Sequence, residues 1–143
     1  MIALASDHGG FRYKERTKAL LDELGLSWKD FGTESEDSVD YPDFAHAAAL
    51  AIQSGACDRG IFICGTGIGI SLAANRHHGI RAAACQIPEA ARLSRLHNDA
   101  NVLALGERLV DWDLAEQMIR LWLETPFEGG RHERRIQKIE IEE

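Results

Sequence analysis

Gly60-Ile-Phe-Ile-Cys-Gly-Thr-Gly-Ile-Gly-Ile-Ser-Leu-Ala-Ala-Asn75 is the stretch on which the fold turns. Ile61 to Cys64 are apolar and carry β-branched side chains, as a strand buried on both faces requires. Gly65, Thr66, Gly67, Ile68 and Gly69 follow, and then a run of small residues suited to a helix. A strand, glycine loop and helix in that order can turn several backbone N–H groups toward one point, where negative charge is favoured. Cys64 stands at the lip of that cradle, readable as a reactive thiol or as a small buried hydrophobe. Two nucleotide signatures are not met. Ile70 stands where a dinucleotide fingerprint has its third glycine, and no Gly-Lys-Ser/Thr follows the loop.

Working outward, Met1 to Ser6 reads as a first strand, broken by Asp7-His-Gly-Gly10. Phe11 to Leu24 keeps helical spacing through Tyr13, Leu20, Leu21 and Leu24, and Gly25 suits its C-terminus. Leu26 to Phe31 reads as a second strand, near the sheet edge because of Lys29 and Asp30. Gly32 to Asp40 is a polar loop. Tyr41-Pro42 opens a helix, whose run from Phe44 to Ile52 is apolar nearly all round and fits between layers or at a subunit interface. Past the central loop, Gly79 to Cys85 and Val102 to Leu105 read as strands, and Pro88 to Leu96 and Asp111 to Leu123 as helices. Alternating strands and helices imply an α/β fold, a parallel sheet covered on both sides.

At 143 residues a single domain is expected over 1–143. A net charge of -7 argues against general nucleic-acid affinity, while the basic segment Arg131 to Lys138 suits a small anion. Three cysteines, with no C-x-x-C and no signal peptide, point to free thiols and a cytoplasmic location. The spacings of His46, His77, His78 and His132 do not read as a zinc site.

In a parallel sheet, ligands gather beyond the carboxyl ends of the strands. Asp7 and His8, Cys64 to Gly69, and Glu107 and Arg108 therefore form one candidate cluster. His97 and Asn98 follow a helix, which puts them at the opposite end of the sheet, so they join that cluster only from a second subunit. His97 is readable as a proton carrier or as a helix-terminal histidine. Arg131 and Arg135, four apart, share a helix face that can grip a phosphate or lie as a solvated charge run.

Asp7-His-Gly-Gly, Asp40-Tyr-Pro, Cys64-Gly-Thr-Gly-Ile-Gly-Ile-Ser, Leu93-Ser-Arg-Leu-His-Asn-Asp-Ala-Asn-Val-Leu and Glu128-Gly-Gly-Arg-His, in that order, resemble the B-type ribose-5-phosphate isomerase family, which also contains galactose-6-phosphate and allose-6-phosphate isomerases. The resemblance spans essentially the whole chain. It implies a Rossmann-like three-layer sandwich with five parallel strands, and a homodimer with shared active sites, in some members paired into a tetramer. It places the C-terminal segment, about residues 126–143, on the partner. It implies aldose–ketose isomerisation of a phosphosugar through a cis-enediolate, without metal or organic cofactor. Residue by residue, Cys64 matches the base and His97 the group that assists ring opening, with Thr66 beside them. Asp7, His8, Tyr41, Gly65, Thr66, Gly67, Ile68, Gly69 and Asn98 match substrate contacts. Arg131 and Arg135 match phosphate ligands, with Arg108 among them. A subgroup uses a glutamate elsewhere as base; Cys64 puts this chain in the cysteine type. A reading from another class, a nucleotide- or phosphosugar-binding module without catalysis, would use Asp30 on a ribose hydroxyl.

Overall fold

The computed structural model describes residues 1–142; Glu143, the last residue of the C-terminal segment, lies outside them. Five strands, β1 (Ile2–Ser6), β2 (Trp28–Asp30), β3 (Arg59–Cys64), β4 (Ala82–Ala84) and β5 (Val102–Gly106), form one parallel sheet in the order β2-β1-β3-β5-β4. The helices are α1 (Phe11–Glu23), α2 (Tyr41–Gln53), α3 (Ile68–Ala74), α4 (Pro88–Leu96), α5 (Trp112–Glu124) and α6 (Arg131–Gln137), with a 3₁₀ turn at His8–Gly10 before α1. The expected Rossmann-like α/β sandwich is the observed one.

Strand alternation divides the core. Ile2, Leu4, Ile61, Ile63, Leu103 and Leu105 face α1, α4 and α5, where Trp122 and Met118 are wholly buried. Ala3, Ala5, Phe62, Cys64 and Ala104 face the alanine side of α2 (Ala45, Ala48, Ala49) and Ile70 and Ala74 of α3. Small residues on both surfaces let α2 lie close to the sheet. α1 ends as its glycine foretells. Gly25 takes φ +72, and the N–H groups of Gly25 and Leu26 donate to the carbonyls of Asp22 and Leu21, closing the helix end.

The outer strands are shorter than the sequence suggests. β4 is confined to Ala82–Ala84 because Gly79 turns at φ +83 and the Asn75 side chain bonds both backbone groups of Ala82, occupying the edge where another strand would pair. β2 is likewise an edge strand of three residues. Among the described residues, no helix is long and apolar enough to cross a membrane.

Candidate active site

The carboxyl edge of the sheet is built from backbone. Cys64 pairs in register with Gly106, and the loop after Cys64 folds over the end of β5, its Gly65 carbonyl accepting from the Arg108 N–H at 3.0 Å. Two glycines make the crossing possible. Gly67 sits at φ +77, and a Cβ on Gly106 would come within 2.5 Å of the Thr66 carbonyl carbon. Within this fold the Gly67 N–H donates to Cys64 Sγ at 3.1 Å, and the Ile68 N–H donates to Thr66 Oγ1 at 3.2 Å. The sulfur thus accepts a backbone donor from the loop that follows its strand. Burial pushes the Cys85 thiol up to about 11 and the Cys57 thiol upward as well, so both stay protonated near neutrality.

The first βα turn lies against this loop. A Cβ on Gly9 would stand 3.3 Å from both Asp7 Oδ1 and the Gly65 nitrogen. Asp7 is buried, and its Oδ1 has no hydrogen-bond partner, an arrangement that a ligand hydroxyl would complete. The Val39 N–H donates to His8 Nδ1 at 3.1 Å, which leaves the neutral ring's proton on Nε2. The Tyr41 ring covers Gly69, where a Cβ would come within 2.7 Å of its Cζ. The Arg108 side chain runs beside Gly65, about one van der Waals contact away from where a Cβ would sit. Asp7, His8, Tyr41, Cys64 to Gly69 and Arg108 are therefore brought together.

His97, Asn98, Arg131 and Arg135 are not among them. His97 caps the end of α4, and the Gly60 N–H at the start of β3 donates to the Asn101 carbonyl, so this segment lies at the amino edge. The Glu128 N–H donates to the Leu96 carbonyl and brings α6 to the same edge. The length of β3, roughly 16 Å at 3.3 Å per residue, separates this edge from Cys64. Among the described residues, neither Arg131 nor Arg135 has a carboxylate partner, and both are exposed.

Two residues stand apart from the roles their positions suggest. Asp30 accepts from Lys14 Nζ at 2.7 Å and from the Gly32 N–H at 2.8 Å, and Lys18 Nζ lies 2.6 Å away, so it is not free for a ribose hydroxyl. Burial works to raise its pKa, and those hydrogen bonds overcome burial and hold it below the usual carboxylate range. Glu107 turns from the cluster to accept the Tyr13 N–H at 2.9 Å, closing the start of α1.

Sequence spacing also missed a cluster. His97, Glu128 and His132 bring their ligand atoms within 4.8 Å of one another. The two rings stack at 4.3 Å and 17°. Their in-plane lone pairs therefore run side by side instead of converging, which suits the holding of protons better than the binding of a metal.

The Ribose/Galactose Isomerase family profile matches residues 2–139. The chain is 49% identical over 138 residues to ribose-5-phosphate isomerase B of Escherichia coli, covering 96% of this chain and 93% of that one. It is 38% identical to D-erythrulose-4-phosphate isomerase of Pectobacterium atrosepticum, over 96% and 91% of the two chains. The solved structure of Clostridium thermocellum ribose-5-phosphate isomerase B superposes with a TM-score of 0.95 at 54% identity, covering 96% of this chain and 93% of that one.

Proposed function

This chain belongs to the Ribose/Galactose Isomerase family, and from that premise we propose that it is an aldose–ketose isomerase interconverting D-ribose 5-phosphate and D-ribulose 5-phosphate. The observation that carries the chemistry is the Gly67 N–H on Cys64 Sγ, which sets the thiol at the mouth of the glycine loop.

The substrate enters as a furanose. The anomeric hydroxyl gives up its proton to water, the C1–O4 bond breaks with its electron pair on O4, and His97 protonates O4 as C1=O1 forms. Cys64, as thiolate, takes the proton from C2. The C1=O1 electrons move onto O1, giving a cis-enediolate held by the N–H groups of Gly65 to Gly69 and the Thr66 hydroxyl. Loss of one such donor typically costs about 3 kcal/mol. The thiol returns the proton to C1, the O2 proton passes to O1, and the ketose forms. Asp7, His8, Tyr41 and Asn98 hold hydroxyls. Arg131, Arg135 and Arg108 hold the phosphate, whose remote charge positions the reacting carbons.

Because His97 and Cys64 lie at opposite edges, the site needs two chains. α2 and α3 offer the surface for it: Leu50 of α2 and Ile68 and Leu72 of α3 are 55%, 50% and 60% exposed. A two-fold axis perpendicular to the strands reverses their direction, so one copy's carboxyl edge meets the partner's amino edge. The C-terminal segment beyond residue 126, including α6 and its arginines, then packs on the partner.

Turnover of ribose, allose, galactose and erythrose phosphates, measured with EDTA present, tests this reading. Ribose 5-phosphate should turn over fastest and be unaffected by the chelator. The erythrulose-phosphate relative makes the tetrose phosphate the second candidate, and its preference would move the substrate while leaving the Cys64 chemistry in place.

A further inference from the structure

His97 is weakly held by its own helix. It follows the last residue of α4, its N–H donating to the Leu93 carbonyl, and its side chain is 38% exposed. A ring so placed can swing about its Cβ–Cγ bond, and a proton donor out by about 1 Å can lose roughly a hundredfold in rate. What limits that swing comes from α6. His132 is buried, and its ring stacks on His97 at 4.3 Å, nearly parallel. An apolar side chain would supply the same packing at lower desolvation cost. The imidazole instead presents Nε2 to Glu128 Oε2 at 3.4 Å, and that same carboxylate oxygen stands 3.8 Å from His97 Nε2. One carboxylate is within ion-pair reach of both rings, so a proton on either ring sits beside a negative charge. The Glu128 backbone is itself tied to the end of α4 through the Leu96 carbonyl, which fixes carboxylate and ring on one frame.

We propose that His132 and Glu128 are positioning residues that hold the His97 ring in the orientation and charge environment needed for furanose opening, and that they act on this step alone. The proposal rests on the isomerase reading. Neither residue touches the substrate; both act through His97.

The two half-reactions separate the proposal from a merely structural role. Isomerisation of ribose 5-phosphate needs the ring to open. Exchange of a C1 proton of ribulose 5-phosphate with solvent deuterium does not, because this ketose, with its O5 phosphorylated, is open-chain. There one C1–H bond breaks at Cys64 and a C1–D bond forms. His132→Ala is expected to lower the kcat of isomerisation by tenfold or more, on the order of a modest misplacement. KM should change by less than about twofold and exchange by less than about threefold, because neither the phosphate grip nor the Cys64 cradle is touched. His132→Phe keeps the stack and should recover part of the loss; Glu128→Gln keeps the shape, removes the charge, and should show the same split. Equal loss of both activities in His132→Ala and Glu128→Gln, or no loss of either, overturns the proposal. A wild-type protein that performs neither reaction overturns the isomerase reading beneath it.

Discussion

At the carboxyl edge of the sheet, Asp7 and Cys64 are buried and their surroundings are backbone: a glycine loop, a strand end and a tight first turn. At the amino edge, Asn98, Arg131 and Arg135 are exposed side chains on helix ends, and only the His97–His132 stack is fixed. On the proposed mechanism, the contrast follows from what each half does. Removing a proton from carbon needs a base and donors that do not reorganise, which backbone supplies without side-chain entropy. Gripping a phosphate needs charge at the end of a reachable arm, and a long arm is ordered only when the ligand or a partner arrives.

If that contrast is right, the largest effect belongs to the rigid edge. Cys64→Ala should lower kcat by about a thousandfold, the scale of a lost general base, with ribose 5-phosphate binding by calorimetry within about threefold of wild type. Near-normal turnover would return Cys64 to the role of a buried hydrophobe.

Asp30 probes the same edge in a different way. It lies at the end of β2 among the site strands, yet it serves Lys14, a wholly buried cation. Asp30→Asn should leave kcat/KM nearly unchanged and cost about 3 kcal/mol in denaturant unfolding at pH 7, because it takes the 2.7 Å partner from the buried Lys14 ammonium and leaves it the longer 3.3 Å contact with Glu15. The sign with pH is set by the lowered carboxyl. The pair stabilises the wild type above the unfolded value of about 4, and that contribution disappears as pH falls through the lower folded value. The variant should therefore lack this acid-side loss, which unfolding curves between pH 2 and 5 will read out.

At the adaptable edge, Arg131→Ala and Arg135→Ala should each raise KM about tenfold or more, as expected for one charge-assisted contact of about 1.5–3 kcal/mol, with a smaller change in kcat. A loss confined to kcat would mean that these arginines act on the reacting carbons and not on the phosphate.

The sequence discloses the rigid edge better than the adaptable one, for a physical reason. The strand–glycine–helix unit around Cys64 is set by neighbours in sequence, so Ile61 to Gly69 can be read locally, and the β-branched run and Gly25 do the same for β3 and α1. The position of His97 at the far edge also follows from chain direction alone. What escapes local reading is made by distant pairs. Asp30 answers to Lys14 sixteen residues earlier and Glu107 to Tyr13 ninety-four away, so both leave a cluster in which strand ends alone would place them. Glu128 and His132 meet His97 only because α6 returns across the end of α4. The insertion of β5 between β3 and β4 is likewise a long-range choice, and the edge bonds of Asn75 shorten β4 in a way that propensity does not announce.

The smallest signal is the most direct test of the two edges as halves of one site. In the proposed dimer, Cys64→Ala spoils only the carboxyl edge and His97→Ala only the amino edge, so either homodimer is expected to be inactive. When the two variants are unfolded together and refolded, half of the dimers pair one of each. In those, the intact Cys64 of one chain faces the intact His97 of the other, and the second site carries both defects. Random pairing therefore restores about a quarter of wild-type activity, one good site in every four, as two-fold symmetry dictates. Recovery to that level fixes the edges as partners across an interface. Activity that stays at the level of the separate variants would mean that each chain works alone, and then His97 could not reach the sugar held at Cys64.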